Sequence, residues 1–224
     1  MELRPYQITL SNEATDTLKS KGLVYLSMEV RTGKTLTSLQ VAHNYGAKSV
    51  LFVTKIKAFS SIQWDYDQMD FTYKLTIINK ESLHKVIGDF DLIILDEMHG
   101  IGGAYPKPNT AAKLIKEKFS HLPMIMLSGT PTPESHSQWY HQFWVSDNSP
   151  FKEYSNFYKW AKDFVNVKQK HLGYATVNDY SDADTKHIMR RIKYHILTFT
   201  QKEAGFTSTV NEMILEVPML PITY

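Results

Sequence analysis

The chain has no cysteine among its 224 residues, which excludes disulfide bonds and thiolate metal sites. It also lacks any apolar run that could cross a membrane, since the longest, at Leu92–Leu95, is only as long as a strand. No apolar segment of the secretory type follows the first residues. We therefore expect a cytoplasmic protein without membrane contact.

Basic and acidic residues are nearly balanced, and the formal net charge is only +2. Residues 151–200 are more basic, with nine Lys and Arg against five Asp and Glu. This mild excess fits contact with a phosphate backbone, but a solvated helix surface explains it equally well. Charge alone therefore leaves nucleic acid binding open. Hydrophobic residues make up 42% of the chain, enough to predict a folded core.

The stretch that organises the sequence is Met28-Glu29-Val30-Arg31-Thr32-Gly33-Lys34-Thr35. It follows the apolar residues 23–26 and precedes a segment with helical spacing of its apolar residues. Strand, tight loop ending in Gly-Lys-Thr, then helix is the context of a phosphate-binding loop. Backbone N–H groups of the loop and of the helix N-terminus converge there on one anion. Met28 replaces the usual first glycine, so we expect it to have β or α geometry rather than a positive φ.

Apolar runs alternate with helical patterns as far as residue 130, which predicts a parallel sheet with helices on both faces. The strongest buried strand, residues 91–95, is followed by Asp96-Glu97. Another, residues 123–127, is followed by Ser128-Gly129-Thr130-Pro131. Ligands of such sheets bind at the carboxyl ends of strands. The loop 28–35, the acidic pair and the loop 128–131 all lie at such ends.

Smaller features complete the prediction of secondary structure. Gly22 should end a first helix, and residues 100–108 should form a loop. Aromatic residues are frequent between 139 and 164, where packing against the sheet is favoured over base stacking. A basic helix from His187 should lead into a strand at 196–199, and residues 213–217 should form a final strand.

The acidic pair could complete a nucleotide site. Magnesium that bridges the β- and γ-phosphates needs a hard carboxylate opposite the loop threonine, and Asp96 and Thr35 supply these groups. Lys34 would reach the terminal phosphates, and Glu97 could orient and deprotonate the attacking water. Gly-Lys-Ser/Thr alone is weak evidence, because on the order of one chain in ten of this length contains it by chance. The combination in this order is much rarer.

Four ordered motifs resemble the first motor lobe of superfamily-two helicases, and in particular the Swi/Snf-like branch with its phage and bacterial members. These motifs are Leu3-Arg4-Pro5-Tyr6-Gln7, the loop 28–35, Asp96-Glu97-Met98-His99 and Leu127-Ser128-Gly129-Thr130-Pro131. The resemblance implies an α/β, RecA-like three-layer sandwich with a mostly parallel central sheet and a helical, aromatic-rich extension. Residues 1–145 would form the ATP-binding lobe. Residues 146–224 would form the extension and final strands of the same lobe, leading to a second lobe.

The resemblance also implies roles for single residues. Gln7 would read the adenine edge with support from Arg4 and Tyr6, because an amide both donates and accepts. His99 and the loop residues Ser128, Gly129 and Thr130 would couple the nucleotide site to nucleic acid. Lys55, with Trp64 nearby, would contact a nucleic acid strand, as would residues 78–81. The nucleotide-binding set is then Arg4, Gln7, Met28, Glu29, Val30, Arg31, Thr32, Gly33, Lys34 and Thr35.

The implied function is that of an ATP- and Mg²⁺-dependent helicase or translocase on DNA, with duplex DNA favoured over RNA as partner. The implied location is the cytoplasm of a bacterial or phage-infected host cell. Motors of this family close two lobes on ATP, and the second lobe donates an arginine finger. Nothing after Thr132 resembles that lobe, so we expect this chain to bind ATP–magnesium and to hydrolyse it poorly. Two alternatives remain: the motor subunit of a restriction or packaging assembly, and a non-catalytic nucleotide-binding scaffold.

Overall fold

The computed structural model describes residues 2–173 and 175–206. The helices are α1 (Pro5–Lys21), α2 (Lys34–Tyr45), α3 (Phe59–Asp67), α4 (Met98–Gly102), α5 (Thr110–Phe119), α6 (Trp139–Trp144), α7 (Phe157–Phe164) and α8 (Thr185–Ile192). The strands are β1 (Leu23–Met28), β2 (Ser49–Thr54), β3 (Lys74–Asn79), β4 (Leu92–Leu95), β5 (Met124–Ser128), β6 (Lys168–His171), β7 (Thr176–Asp179) and β8 (Ile196–Phe199). Short 3-10 turns lie at Ile56–Ala58, Lys80–Lys85 and His136–Gln138.

Six of these strands form one sheet in the order β3-β2-β4-β5-β1-β8. Every strand pair in it is parallel, so all six carboxyl ends lie along one edge. Strand β1 lies between β5 and β8, with Leu23 opposite Met124 and Tyr25 opposite Ile196. The predicted parallel sheet is therefore confirmed.

Helices cover both faces of the sheet, because alternate strand residues point to opposite sides. On one face, Val24, Leu26 and Met28 of β1 share a buried cluster with residues of α1, α2 and α3. On the other face, Leu23 and Tyr25 share a second cluster with residues of α4 to α8. Each strand of the middle of the sheet is buried on both sides, which explains the continuous apolar runs of the sequence. The fold is the predicted three-layer α/β sandwich.

The aromatic segment after residue 138 packs against the second face. Its fully or almost fully buried aromatic side chains are Trp139, Tyr140, Phe143, Phe151, Phe157, Trp160 and Phe164. Many of these rings meet edge to face, such as Phe151 and Trp160 with ring centroids 5.6 Å apart, a geometry that aromatic quadrupoles favour. The prediction that these residues pack rather than stack on bases is confirmed for this set, while Tyr158 is 46% exposed.

Three details differ from the sequence prediction or lie beyond it. Residues 168–171 and 176–179 form the antiparallel hairpin β6–β7, where the sequence pattern predicted no element. Helix α4 extends to Gly102, into the predicted loop 100–108. The strand predicted at 213–217 lies outside the described residues. The first helix does end at Gly22, whose φ of 69° is the left-handed conformation that glycine adopts readily. Within the described segments, no helix is long and apolar enough to span a membrane.

Candidate nucleotide site

The loop between β1 and α2 has the backbone of an anion-binding loop. Met28 ends β1 fully buried and has no positive φ, as expected. Arg31 and Gly33 are left-handed, with φ of 65° and 75°. No side chain caps α2, so the N–H groups of its first turn remain available to a ligand. Positive partial charge at a helix N-terminus favours a phosphate group there.

Two side chains at the start of α1 hold this loop from outside. The hydroxyl of Tyr6 donates to the Thr32 carbonyl at 3.1 Å, and Nε2 of Gln7 donates to the Gly33 carbonyl at 3.3 Å. Oε1 of Gln7 accepts from the backbone N–H of Arg4 at 2.9 Å. Gln7 therefore lies beside the phosphate loop, close enough to contact a nucleotide bound there. Its amide also supports the loop through the hydrogen bond to Gly33. The amide keeps one donor and one acceptor position for a base.

Lys34 and Thr35 lie in the first turn of α2, and both are half-buried. Within the part of the chain that the structure describes, neither the Lys34 ammonium nor the Thr35 hydroxyl has a hydrogen-bond partner. The charge of Lys34 reaches Asp96, whose carboxyl pKa it lowers. At an anion-binding loop, a free ammonium suits the anionic polyphosphate, and a free hydroxyl oxygen suits the cation bound to it.

Asp96 lies two strands away from the loop, directly after β4. Its Oδ2 accepts a hydrogen bond from the Thr54 hydroxyl at 2.8 Å. Burial raises the pKa of Asp96 above its ordinary value, and the charge of Glu97 adds to this effect. The Thr54 hydrogen bond and the charge of Lys34 act in the opposite direction. A cation beside Asp96 would favour the carboxylate strongly.

Glu97 has a φ of 52°, one of the two positive values among described residues other than glycine. This left-handed conformation costs a residue with a side chain on the order of 1 kcal/mol, and such strain concentrates at functional sites. Glu97, Asp96 and Lys55 line one cavity of about 40 Å³ together with Thr54 and Lys80. The predicted metal ligand, the predicted base and a predicted nucleic acid contact are thus brought together.

The donor set fits magnesium that arrives with a nucleotide. The described segments hold no cluster of three or more His, Cys, Asp or Glu side chains that could bind a metal alone. Magnesium commonly uses one or two protein carboxylates and completes its shell with substrate phosphates and water. Asp96 and the Thr35 hydroxyl are hard oxygen donors of this type.

The predicted coupling residues form a line of polar contacts. Nδ1 of His99 lies 3.4 Å from Oε2 of Glu97 and 2.9 Å from Oγ of Ser128. Ser128 also accepts from the Thr130 backbone N–H at 3.2 Å. Gly129 lies against the start of the phosphate loop, since a Cβ there would be 3.4 Å from the Met28 carbonyl oxygen. His99 and the loop 128–130 therefore connect Glu97 to the loop 28–35.

The line continues through residues that sequence reasoning missed. The Ser128 hydroxyl is hydrogen-bonded to Tyr25, and the Tyr25 hydroxyl donates to Oε1 of Gln142 at 2.7 Å. Nε2 of Gln142 donates to the Pro131 carbonyl at 2.8 Å. Burial raises the pKa of Tyr25, so the phenol remains protonated and able to donate. In the sequence, Tyr25 reads only as one more buried strand residue.

Lys55 and Lys80, two of the predicted nucleic acid contacts, directly follow strands β2 and β3 at the same edge of the sheet. Lys55 is exposed after β2, and Trp64 on α3 is 57% exposed. Nζ of Lys80 donates to the Gly100 carbonyl at 3.4 Å, which ties the segment after β3 to α4. A cavity of about 720 Å³ lies between this segment and α5, away from the phosphate loop.

Comparison with known proteins identifies the family. A family model described as "SNF2-related domain" matches residues 19–219. The chain therefore belongs to the family of SNF2-related domains. This result confirms the resemblance to the Swi/Snf-like branch. In sequence, no curated protein matches this chain.

Two solved structures are similar to this SNF2-related domain. The Sulfolobus solfataricus SWI2/SNF2 ATPase core in complex with dsDNA matches with a TM-score of 0.67 at 15% identity, over 92% of this chain and 46% of that one. The ATP-dependent Type ISP restriction-modification enzyme LlaBIII bound to DNA matches with a TM-score of 0.43 at 19% identity, over 58% and 13%. The first match supports the fold, and no argument rests on the second. This chain spans less than half of the Sulfolobus chain.

Proposed function

We propose that this SNF2-related domain is the ATP-binding lobe of a DNA-dependent ATPase that moves on DNA when a second lobe is present. The observation that carries the proposal is the arrangement of the loop 28–35 after β1 and the pair Asp96-Glu97 after β4, at the same edge of one parallel sheet. This arrangement occurs in a chain of the SNF2-related family. Duplex DNA as partner is supported by the bound dsDNA of the Sulfolobus structure.

Each residue at the site has a distinct task in this proposal. The N–H groups of the loop and the ammonium of Lys34 bind the phosphates and neutralise their charge. Thr35 and Asp96 would hold magnesium, which supplies charge neutralisation at the β- and γ-phosphates when it is bound. Glu97 orients the attacking water and takes up its proton.

The line from Glu97 through His99 to Ser128 would link the state of the base to the loop 128–130. Lys55 follows β2 at the same edge, and both Lys55 and the exposed Trp64 on α3 would contact the DNA strand. Arg4 and Gln7 would bind the adenine end. In this arrangement a change at the nucleotide has a continuous route of polar contacts to the loop 128–130.

The isolated lobe should bind ATP–magnesium and turn it over slowly. An arginine finger contributes about 10³–10⁵ in rate to related nucleotide hydrolases, and the family resemblance places it on a second lobe. The test is ATP–magnesium binding to residues 1–224, together with ATPase rates with and without duplex DNA, for this chain and for a longer natural version.

Two variants separate this function from its alternatives. Lys34→Ala should abolish measurable ATP binding, and Glu97→Gln should bind ATP and stall hydrolysis in the longer protein. Unchanged activity in both variants would favour the nucleotide-binding scaffold. Robust DNA-stimulated turnover by residues 1–224 alone would contradict the need for a second lobe. Any domain that follows the second lobe in a longer protein would separate a helicase from a restriction or packaging motor.

A further inference from the structure

The phosphate loop is held by a third side chain, which comes from the far end of the described chain. Nε2 of Gln201 donates to the Val30 carbonyl at 2.9 Å. With the bonds from the start of α1 to Thr32 and Gly33, three loop carbonyls accept side-chain hydrogen bonds from outside the loop. The outer side of the loop is thus fastened from two directions.

Gln201 belongs to a turn that is itself attached to the loop. Its backbone N–H donates to Oε2 of Glu29 at 2.7 Å, and the Glu29 N–H donates to the Phe199 carbonyl at 2.9 Å. The turn is closed by Glu203, whose Oε2 accepts from the backbone N–H of Thr200 at 2.7 Å. Gln201 is therefore held in place before it contacts Val30.

The two segments that hold the loop, the start of α1 and the end of β8 with its turn, also contact each other. The ring of Phe199 stacks on the ring of Tyr6, with centroids 4.7 Å apart and planes 23° apart. Tyr6 in turn holds the Thr32 carbonyl. Strand β8, the turn after it and the start of α1 thus form one frame around the outside of the loop.

The peptide group that Gln201 holds joins Val30 to Arg31, the residue with the strained backbone conformation. A trans peptide is planar, so a carbonyl fixed outward at Val30 directs the N–H of Arg31 the opposite way, into the loop. Arg31 is left-handed with a φ of 65°, which costs on the order of 1 kcal/mol for a residue with a side chain. A bond at the Val30 carbonyl therefore stabilises the loop conformation in which its N–H groups can converge on an anion.

We propose that Gln201 is a positioning residue for the phosphate loop: its amide holds the Val30–Arg31 peptide in the orientation that binds a polyphosphate. Because linkage is reciprocal, polyphosphate binding stabilises the turn at residues 200–206 in return. The end of β8 thereby senses whether the nucleotide site is filled. This inference rests on the proposed ATP-binding function.

The test compares Gln201→Met with Lys202→Ala in residues 1–224. Methionine keeps the length of the side chain and removes the donor, whereas Lys202 is an exposed neighbour in the same turn. Each variant is titrated with ATP–magnesium and with magnesium tripolyphosphate, which has no base or ribose. Gln201→Met should weaken both ligands about fivefold, the effect of one lost hydrogen bond. Lys202→Ala should bind both as the unsubstituted chain does.

Hydrogen exchange of the unsubstituted chain gives a second measurement that does not depend on any variant. Saturating ATP–magnesium should slow amide exchange in residues 200–206, and in particular at the Gln201 N–H. Gln201→Met should lose this slowing while its unliganded exchange elsewhere stays the same. A purely structural residue would change the unliganded exchange instead.

The outcomes distinguish this inference from the function on which it rests. Equal affinities of Gln201→Met and the unsubstituted chain, or no ligand-dependent slowing at 200–206, overturn the inference and leave the function standing. Lys34→Ala is expected to bind neither ligand. If the folded, unsubstituted chain also binds neither, the proposed function fails, and this inference fails with it.

Discussion

The hydroxyl of Tyr25 donates to Oε1 of Gln142 at 2.7 Å and thereby joins the strand before the phosphate loop to helix α6. Gln142 is fully buried and also holds the Pro131 carbonyl. An aromatic helix outside the sequence motifs is thus attached to two elements of the nucleotide site. Buried polar groups in such networks stabilise only when all of them are paired.

Tyr25→Phe should lower the free energy of unfolding by about 1–3 kcal/mol, because it leaves buried Oε1 of Gln142 without its donor. Urea denaturation of residues 1–224 measures this change. Tyr158→Phe, which removes the hydroxyl of a 46% exposed tyrosine, is the matched control and should be nearly neutral. Equal effects of the two variants would show that the Tyr25–Gln142 bond adds nothing to stability.

Gly33→Ala should abolish nucleotide binding as well as reduce stability. An alanine Cβ at Gly33 would lie 2.4 Å from Nε2 of Gln7, at a backbone φ of 75°. The control is Gly46→Ala, which has a φ of 85° and nothing within 4 Å of the added Cβ. Both should lose about 1 kcal/mol from the left-handed backbone. Only Gly33→Ala should also lose ATP binding in a titration, and retained binding would contradict the role of this loop.

Thr54→Val should make magnesium-dependent ATP binding more sensitive to acid. The Thr54 hydrogen bond lowers the pKa of Asp96, which burial raises, so the substitution should raise that pKa further. Protonated Asp96 cannot bind magnesium as a carboxylate does. The pH at which ATP–magnesium affinity falls by half should therefore move upward, as measured by titration at several pH values. Binding in EDTA should show no such movement, and a movement there would point to another group.

His141 should destabilise the fold in acid. Burial lowers its pKa to about 4 from 6.5, and Nδ1 lies 2.7 Å from the Ala104 carbonyl oxygen. Below pH 6.5 the unfolded chain takes up the proton more readily than the folded one, so stability falls as pH decreases from about 6.5 to about 4. The full shift corresponds to about 3 kcal/mol.

His141→Asn should flatten this part of the stability curve in urea denaturations at pH 4 to 7. The exposed His84 also has Nδ1 beside a backbone carbonyl, that of Glu81 at 3.0 Å, so His84→Asn is the matched control. A curve for His141→Asn as steep as that for His84→Asn would assign the acid sensitivity to other groups.

Local sequence predicted the features of this fold that depend on neighbouring residues. Continuous apolar strands followed by polar turns located the strand ends, and a parallel sheet brings such ends to one edge. Gly22 indicated the end of α1 because a left-handed residue is needed there. The family motifs then located Lys34, Asp96 and Glu97 at that edge.

Contacts between distant residues could not be predicted in this way. Tyr25 and Gln142 are 117 residues apart, and Val30 and Gln201 are 171 apart. Neither pair leaves a periodic pattern, because each side chain has its partner only after the sheet has formed. The hairpin β6–β7 was missed for another reason. Almost all of its residues are exposed, so it lacks the alternation of buried and exposed positions that indicates a strand.

The position of β1 in the sheet also sets the order in which the molecule can assemble. Both neighbours of β1 come from far later in the chain, β5 about 100 residues on and β8 about 170. Pairings this distant in sequence form slowly, because a long loop must close first. The loop 28–35, although it lies near the start of the sequence, is therefore among the last parts of the molecule to be completed. A chain emerging from the ribosome should reach its full affinity for ATP only after residue 201 has left the exit tunnel.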